Sequence, residues 1–135
     1  LEMKPVQQTD LTHGSGDALR ACVASIIELP SSKVPNLITD PRGYLPPLQE
    51  FLLPLGKAFV KVPLIDGRLP FPLTLPEGAY CYCIVAGPSP RGSHKHCIVG
   101  KLTELAAGAT PAHDPHPDGT MLGGEPEWAG LFLAL

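Results

Sequence analysis

The chain has 135 residues, 44% of them hydrophobic, with 10 basic against 13 acidic side chains and a formal net charge of −3. That length and apolar content fit one domain around a single core, and the 17 Pro and 14 Gly divide it into short elements without making it a disordered chain. No basic cluster points to nucleic acid as a partner, and the longest apolar runs fall short of a membrane span.

Leu1-Glu2 ahead of Met3 reads as a cloning scar, with Met3 as the natural start and no signal peptide opening the chain. Residues 3–17 read as an extended, polar, Gly-rich arm. Asp17 is a suitable N-cap for a helix from Ala18 to Leu29 that stops before Pro30. Leu19, Cys22, Val23, Ile26 and Ile27 recur at three- and four-residue spacing and give that helix one buried stripe. After a Pro-rich turn, Tyr44 to Leu55 fits a second helix, with Pro46 and Pro47 tolerated in its first turn.

From residue 57 the period changes. Ala58 to Val62, Ala79 to Ala86, His96 to Lys101 and Leu131 to Leu135 read as short strands between Pro/Gly turns, while Leu102 to Pro111 fits neither pattern. Helices first and strands afterwards predict an α+β domain over residues 3–135, its helices packed on a mostly antiparallel sheet. Cys81 and Cys83 alternate with Tyr80, Tyr82 and Ile84, so they read as small apolar strand residues. Together with the missing signal peptide this suggests reduced thiols and synthesis in the cytoplasm; a domain delivered from a secreted effector would look the same.

The chemistry is concentrated in three segments. Gly14-Ser15-Gly16-Asp17 delivers the chain into the first helix, whose N-terminus offers unpaired N–H groups and a positive dipole end. A thiolate nucleophile would be stabilised there, and the backbone N–H of the same residue would face an oxyanion, but the position is held by Ala18. His96 heads an apolar strand after the loop Ser89 to Lys95, giving a general base rigid backing and an open face; His94 competes but sits closer to the Gly92-Ser93 turn. In the segment Ala112 to Gly119, Pro115 biases Asp114 toward an extended conformation that aims its carboxylate at the neighbouring strand. There it would accept from His Nδ1–H and fix the imidazole tautomer. Cys22, one turn into the helix, lacks both the dipole and the oxyanion donor and reads as core. His94, His96, His113, His116, Asp114 and Cys97 are all metal-ligand types, yet no spacing matches a zinc finger or an HExxH helix, and no metal or other cofactor is expected.

Read together, Gly16-Asp17, Ala21 to Ser25, Glu28-Leu29-Pro30, Val34-Pro35, Arg91-Gly92, His96 and His113 to Pro117 resemble the papain-like cysteine peptidases. They are similar in order to the small bacterial and phage domains related to bacteriocin leader-processing peptidases. The resemblance implies a papain-like fold and a Cys–His–Asp triad acting on a peptide or side-chain amide. The nucleophile's seat falls on Ala18, the base on His96, the orienting carboxylate on Asp114 and the oxyanion-hole Gln on Gln8, with Gln7 as fallback. The departure at Ala18, engineered or natural, implies an inactive form of the enzyme. A glutamine deamidase or transglutaminase-type effector would use the same triad, and a natural pseudo-hydrolase would keep the cleft to bind peptide. A peptide or protein is the expected partner.

Overall fold

The computed structural model describes residues 3–11, 17–104 and 108–135; Leu1-Glu2, the Gly14-Ser15-Gly16 turn and the middle of the 102–111 stretch lie outside the described residues. Helix α1 runs Ala18–Ile27. It ends short of Leu29 because Glu28 turns left-handed at φ 61°, and Leu29 N–H closes the turn by donating to the Ala24 carbonyl at 3.0 Å. Single 3-10 turns follow at Ser31–Lys33 and Leu37–Thr39. Helix α2, Leu45–Leu52, continues into a 3-10 turn at Leu53–Leu55, so the expected second helix is present with its last turn tightened by Pro54.

Five strands follow: β1 Lys57–Pro63, β2 Tyr80–Pro88, β3 Lys95–Thr103, β4 Thr110–His113 and β5 Trp128–Ala134. They form one sheet in the order β1-β5-β2-β3-β4, with every neighbouring pair antiparallel. The α+β architecture with helices against an antiparallel sheet is therefore as the residue pattern predicts. Two strands extend it. β4 begins at Thr110, at the end of the ambiguous stretch, and β5 begins three residues before the expected Leu131, at Trp128.

Alternation along the central strands assigns side chains to the two faces. Leu19, Cys22 and Val23 of α1, with Leu48 and Leu52 of α2, bury against Phe59, Ile84 and Val99. Cys83, Val85, Ile98 and Leu102 form a second core with Leu69, Leu73 and Leu122 from the connecting segments. Each fully buried Leu or Val contributes roughly 1.5–3 kcal/mol, so helices of 10 and 8 residues are held by packing more than by their own propensity. At Gly130 the Phe59 ring lies where a Cβ would stand, and the same ring makes edge contacts with Trp128 and Phe132 at 6.4 and 5.3 Å. Trp128 and Phe132 pack against the same core as the α1 and α2 side chains. All four cysteines are unpaired; Cys22 and Cys83 are buried and Cys81 is exposed. Among the described residues no helix is long and apolar enough to cross a membrane.

Candidate active site

The arm before α1 is tied down at several points. Lys4 N–H donates to the Ser25 carbonyl at 3.1 Å, and Val6 N–H donates to Ser25 Oγ at 2.9 Å. His113 Nε2 donates to the Val6 carbonyl at 2.8 Å, and Gln8 N–H donates to the Pro115 carbonyl at 2.8 Å. His113 thus serves as a strut between β4 and the arm.

Asp17 does not act as the side-chain N-cap expected from sequence. Its carboxylate turns back to the arm, accepting from Thr9 N–H and Asp10 N–H at 2.9 and 3.0 Å and from Thr9 Oγ1 at 2.9 Å. Three donors at fixed positions satisfy the buried carboxylate better than one helix N–H would. The carboxylate stays near the helix N-terminus, and the first N–H groups of α1 receive no side-chain cap. Between these anchors Gln8 is held buried, its Nε2 donating to the Asp10 carbonyl at 3.0 Å. Gln8 Oε1 is buried with no partner among the described residues. Gln7, the fallback, is exposed.

His96 stands at the second position of β3, and Asp114 follows the last residue of β4. The β3–β4 register shifts between Val99 and Gly100, which leaves Ala112 without a partner just before His113 pairs with Val99. Beyond this irregularity Asp114 Oδ1 lies 2.7 Å from His96 Nε2, with both side chains buried. The same Oδ1 accepts from His116 N–H at 3.0 Å, and Oδ2 accepts from Met121 N–H at 2.7 Å. The carboxylate is therefore immobilised by three donors. The contacting ring nitrogen corrects the expected geometry. Asp114 engages Nε2 and not Nδ1, so an Nε2–H tautomer leaves Nδ1 as the nitrogen free to take or give a proton. Burial holds the His96 pKa below its ordinary value, partly opposed by the Asp114 hydrogen bond and charge.

Gln8, Ala18 and His96 line one cleft of about 440 Å³, with Asp114 behind the imidazole. Ala18 is the first residue of α1, as expected. Tyr44 and Trp128, stacked at 5.9 Å, form part of an apolar wall with Ile38, and Lys61 Nζ lies 5.0 Å from the Trp128 ring centroid. Arg91, His94, Lys95 and His116 line the other side. His94 shares the cleft, but the Asp114 carboxylate bonds to His96. Cys22 is fully buried with its thiol pKa pushed well up by burial first, then by Cys97 and Asp114, which fits the core role. Cys97 is half-buried and touches the cleft, and the desolvation of its thiol raises the pKa to about 12, which disfavours the thiolate. Among the described residues no group of three or more His, Cys, Asp or Glu is arranged to hold a metal ion.

The aromatic wall was not identified from sequence. Tyr44 read only as the start of a helix, and Trp128 fell before the expected strand. The one available signal was that Trp128 is the only tryptophan of the chain. No protein-family model, curated protein or solved structure matches the chain.

Proposed function

We propose that the chain is a papain-like thiol hydrolase domain whose nucleophile position is occupied by alanine. The observation that carries this reading is the buried 2.7 Å His96–Asp114 pair opening, through His96, onto the cleft that Ala18 lines from the start of α1. A cysteine at position 18 would be deprotonated by His96 Nδ1, with the helix N-terminus favouring the thiolate. Attack on an amide carbonyl forms a C–S bond and a tetrahedral oxyanion, stabilised by the residue 18 N–H and the second N–H of Gln8 Nε2. The imidazolium returns its proton to the departing amine, the C–N bond breaks, and a thioester remains for water to hydrolyse. Asp114 holds the ring and stabilises the imidazolium throughout. Peptide cleavage is favoured over glutamine deamidation because the resembled family consists of peptidases. As it stands, the Ala18 chain has the cleft but no thiol at this position, which also fits a pseudo-hydrolase role.

The test is to restore the thiol. Ala18→Cys should give a thiol that reacts rapidly with iodoacetamide near neutral pH, and His96→Gln in that background should slow the reaction. Equal labelling with and without His96 would defeat the hydrolase reading. Intact masses of a cell extract treated with the Ala18→Cys protein then separate the chemistries: new fragments indicate a peptidase, and a gain of about one dalton without fragments indicates a deamidase.

A further inference from the structure

The rim of the cleft beside His96 contains two donors that the triad does not use. Arg91 is held entirely through Nη1, which donates to Asp118 Oδ1, Asp118 Oδ2 and Thr120 Oγ1, each at 3.0 Å. Its Nε and Nη2 make no hydrogen bond among the described residues, and the residue lines the cleft. His116 Nδ1 lies 3.1 Å from Asp118 N and 3.2 Å from Asp118 Oδ1; as the Nε2–H tautomer it accepts from the N–H, as imidazolium it donates to the carboxylate, and in both of these forms Nε2 carries a proton. That Nε2–H has no acceptor among the described residues, and the ring sits 6.4 Å from the His96 ring, centroid to centroid. One residue, Asp118, therefore orients both donors from behind. Its carboxyl is held down at about 2, first by Thr120 N–H and, among other contacts, by Arg91, so the brace stays charged at neutral pH. No Asp or Glu among the described residues lines the cleft, although the chain as a whole is acidic.

Resting on the hydrolase reading for the position of the reacting carbonyl, we propose that Arg91 and His116 form a carboxylate subsite. The substrate is then a peptide with a carboxylate next to the attacked residue and an apolar side chain on the Tyr44–Trp128 wall. A planar carboxylate matches the free edge of a guanidinium and takes charge-assisted bonds from it, while an isosteric amide presents one oxygen and two donors facing a donor. The carboxylate is either an acidic side chain or a chain end, since both present the same group.

The experiment titrates the ¹⁵N-labelled chain, with Ala18 in place, with four probes. These are N-acetyl-Phe-Gly-Glu-amide, its glutamine counterpart, and N-acetyl-Phe-Gly-Gly with a free or an amidated C-terminus. One carboxylate probe should bind about tenfold tighter than its neutral partner, and Arg91→Gln should bring that ratio to within about twofold. Preference within the first pair identifies a side-chain carboxylate, and preference within the second identifies a chain end. Equal binding within both pairs overturns the subsite, as does a preference that survives Arg91→Gln. Absence of binding by all four at about 10 mM overturns it too, because a braced charge-assisted pair beside an apolar contact should hold a millimolar ligand. Binding needs no thiol at position 18, so a failed labelling experiment with a clear carboxylate preference would remove the hydrolase reading and leave the subsite standing.

Discussion

Asp17 separates two accounts of the helix start, and its replacement by alanine is the most discriminating stability test. As an ordinary N-cap, the side chain would contribute about 1 kcal/mol, and asparagine would replace it almost freely. In the structure it is buried and takes bonds from two backbone N–H groups and one hydroxyl, all from the arm. Hydrogen bonds to a charged group contribute about 1.5–3 kcal/mol each, but they are not additive. Thr9 is exposed and Asp10 is half-buried, so their freed donors would regain water and reduce the loss. Asp17→Ala should therefore cost about 3 kcal/mol. Asp17→Asn keeps an acceptor for the two N–H groups and an N–H for Thr9 Oγ1, and should cost about 1 kcal/mol. Urea unfolding at neutral pH, followed by far-ultraviolet circular dichroism, measures both. A loss of about 1 kcal/mol or less in the alanine variant would refute the arm-clamp account and restore the simple cap.

Other consequences can be tested in parallel. In the Ala18→Cys background, Gln8→Ala should leave iodoacetamide labelling unchanged but lower kcat about 10²-fold, because an oxyanion donor acts only in the transition state; equal losses in both would mean that the arm itself had moved. The His96 imidazole, followed by NMR, should titrate below 6.5, and Asp114→Asn should lower it further by removing the charge that opposes burial. Because the folded value is depressed, the unfolded chain takes the proton first, so this residue's contribution is complete above 6.5 and is lost as pH falls toward the folded value. A midpoint above 6.5 would contradict the burial argument. Gly130→Ala should cost about 1–3 kcal/mol by forcing the Phe59 ring off its site, and an unchanged urea midpoint would show that the ring moves freely.

The elements were legible where local pattern and tertiary packing agree. Leu19, Cys22 and Val23 occur at helical spacing and are buried along α1, and Ile84 and Val85 alternate across the sheet as a period of two requires. β4 was not legible, because Thr110, Pro111 and Ala112 are exposed edge residues with no apolar alternation to give them away. The early start of β5 was hidden for a related reason. Trp128 is placed by its cross-strand neighbours and by the Phe59 ring over Gly130, contacts made by residues far apart in the chain.

The site divides along the same line. Ala18, His96 and Asp114 could be named because helix start, strand head and X-Pro turn each leave a local trace. The ring nitrogen that meets Asp114 could not be read, because it depends on the register shift between β3 and β4. Nor could the work of Asp17, which has the composition of a cap and the geometry of a clamp. That difference has a functional side. A carboxylate spent on the arm leaves the first N–H groups of α1 without a side-chain cap, at the point where the proposed mechanism needs donors for an oxyanion. The same residue keeps Gln8, the second proposed donor, next to it through Thr9 and Asp10. Arm and helix start therefore act as one unit, and a substitution at Asp17 should alter transition-state stabilisation even though its side chain is turned away from the helix N–H groups.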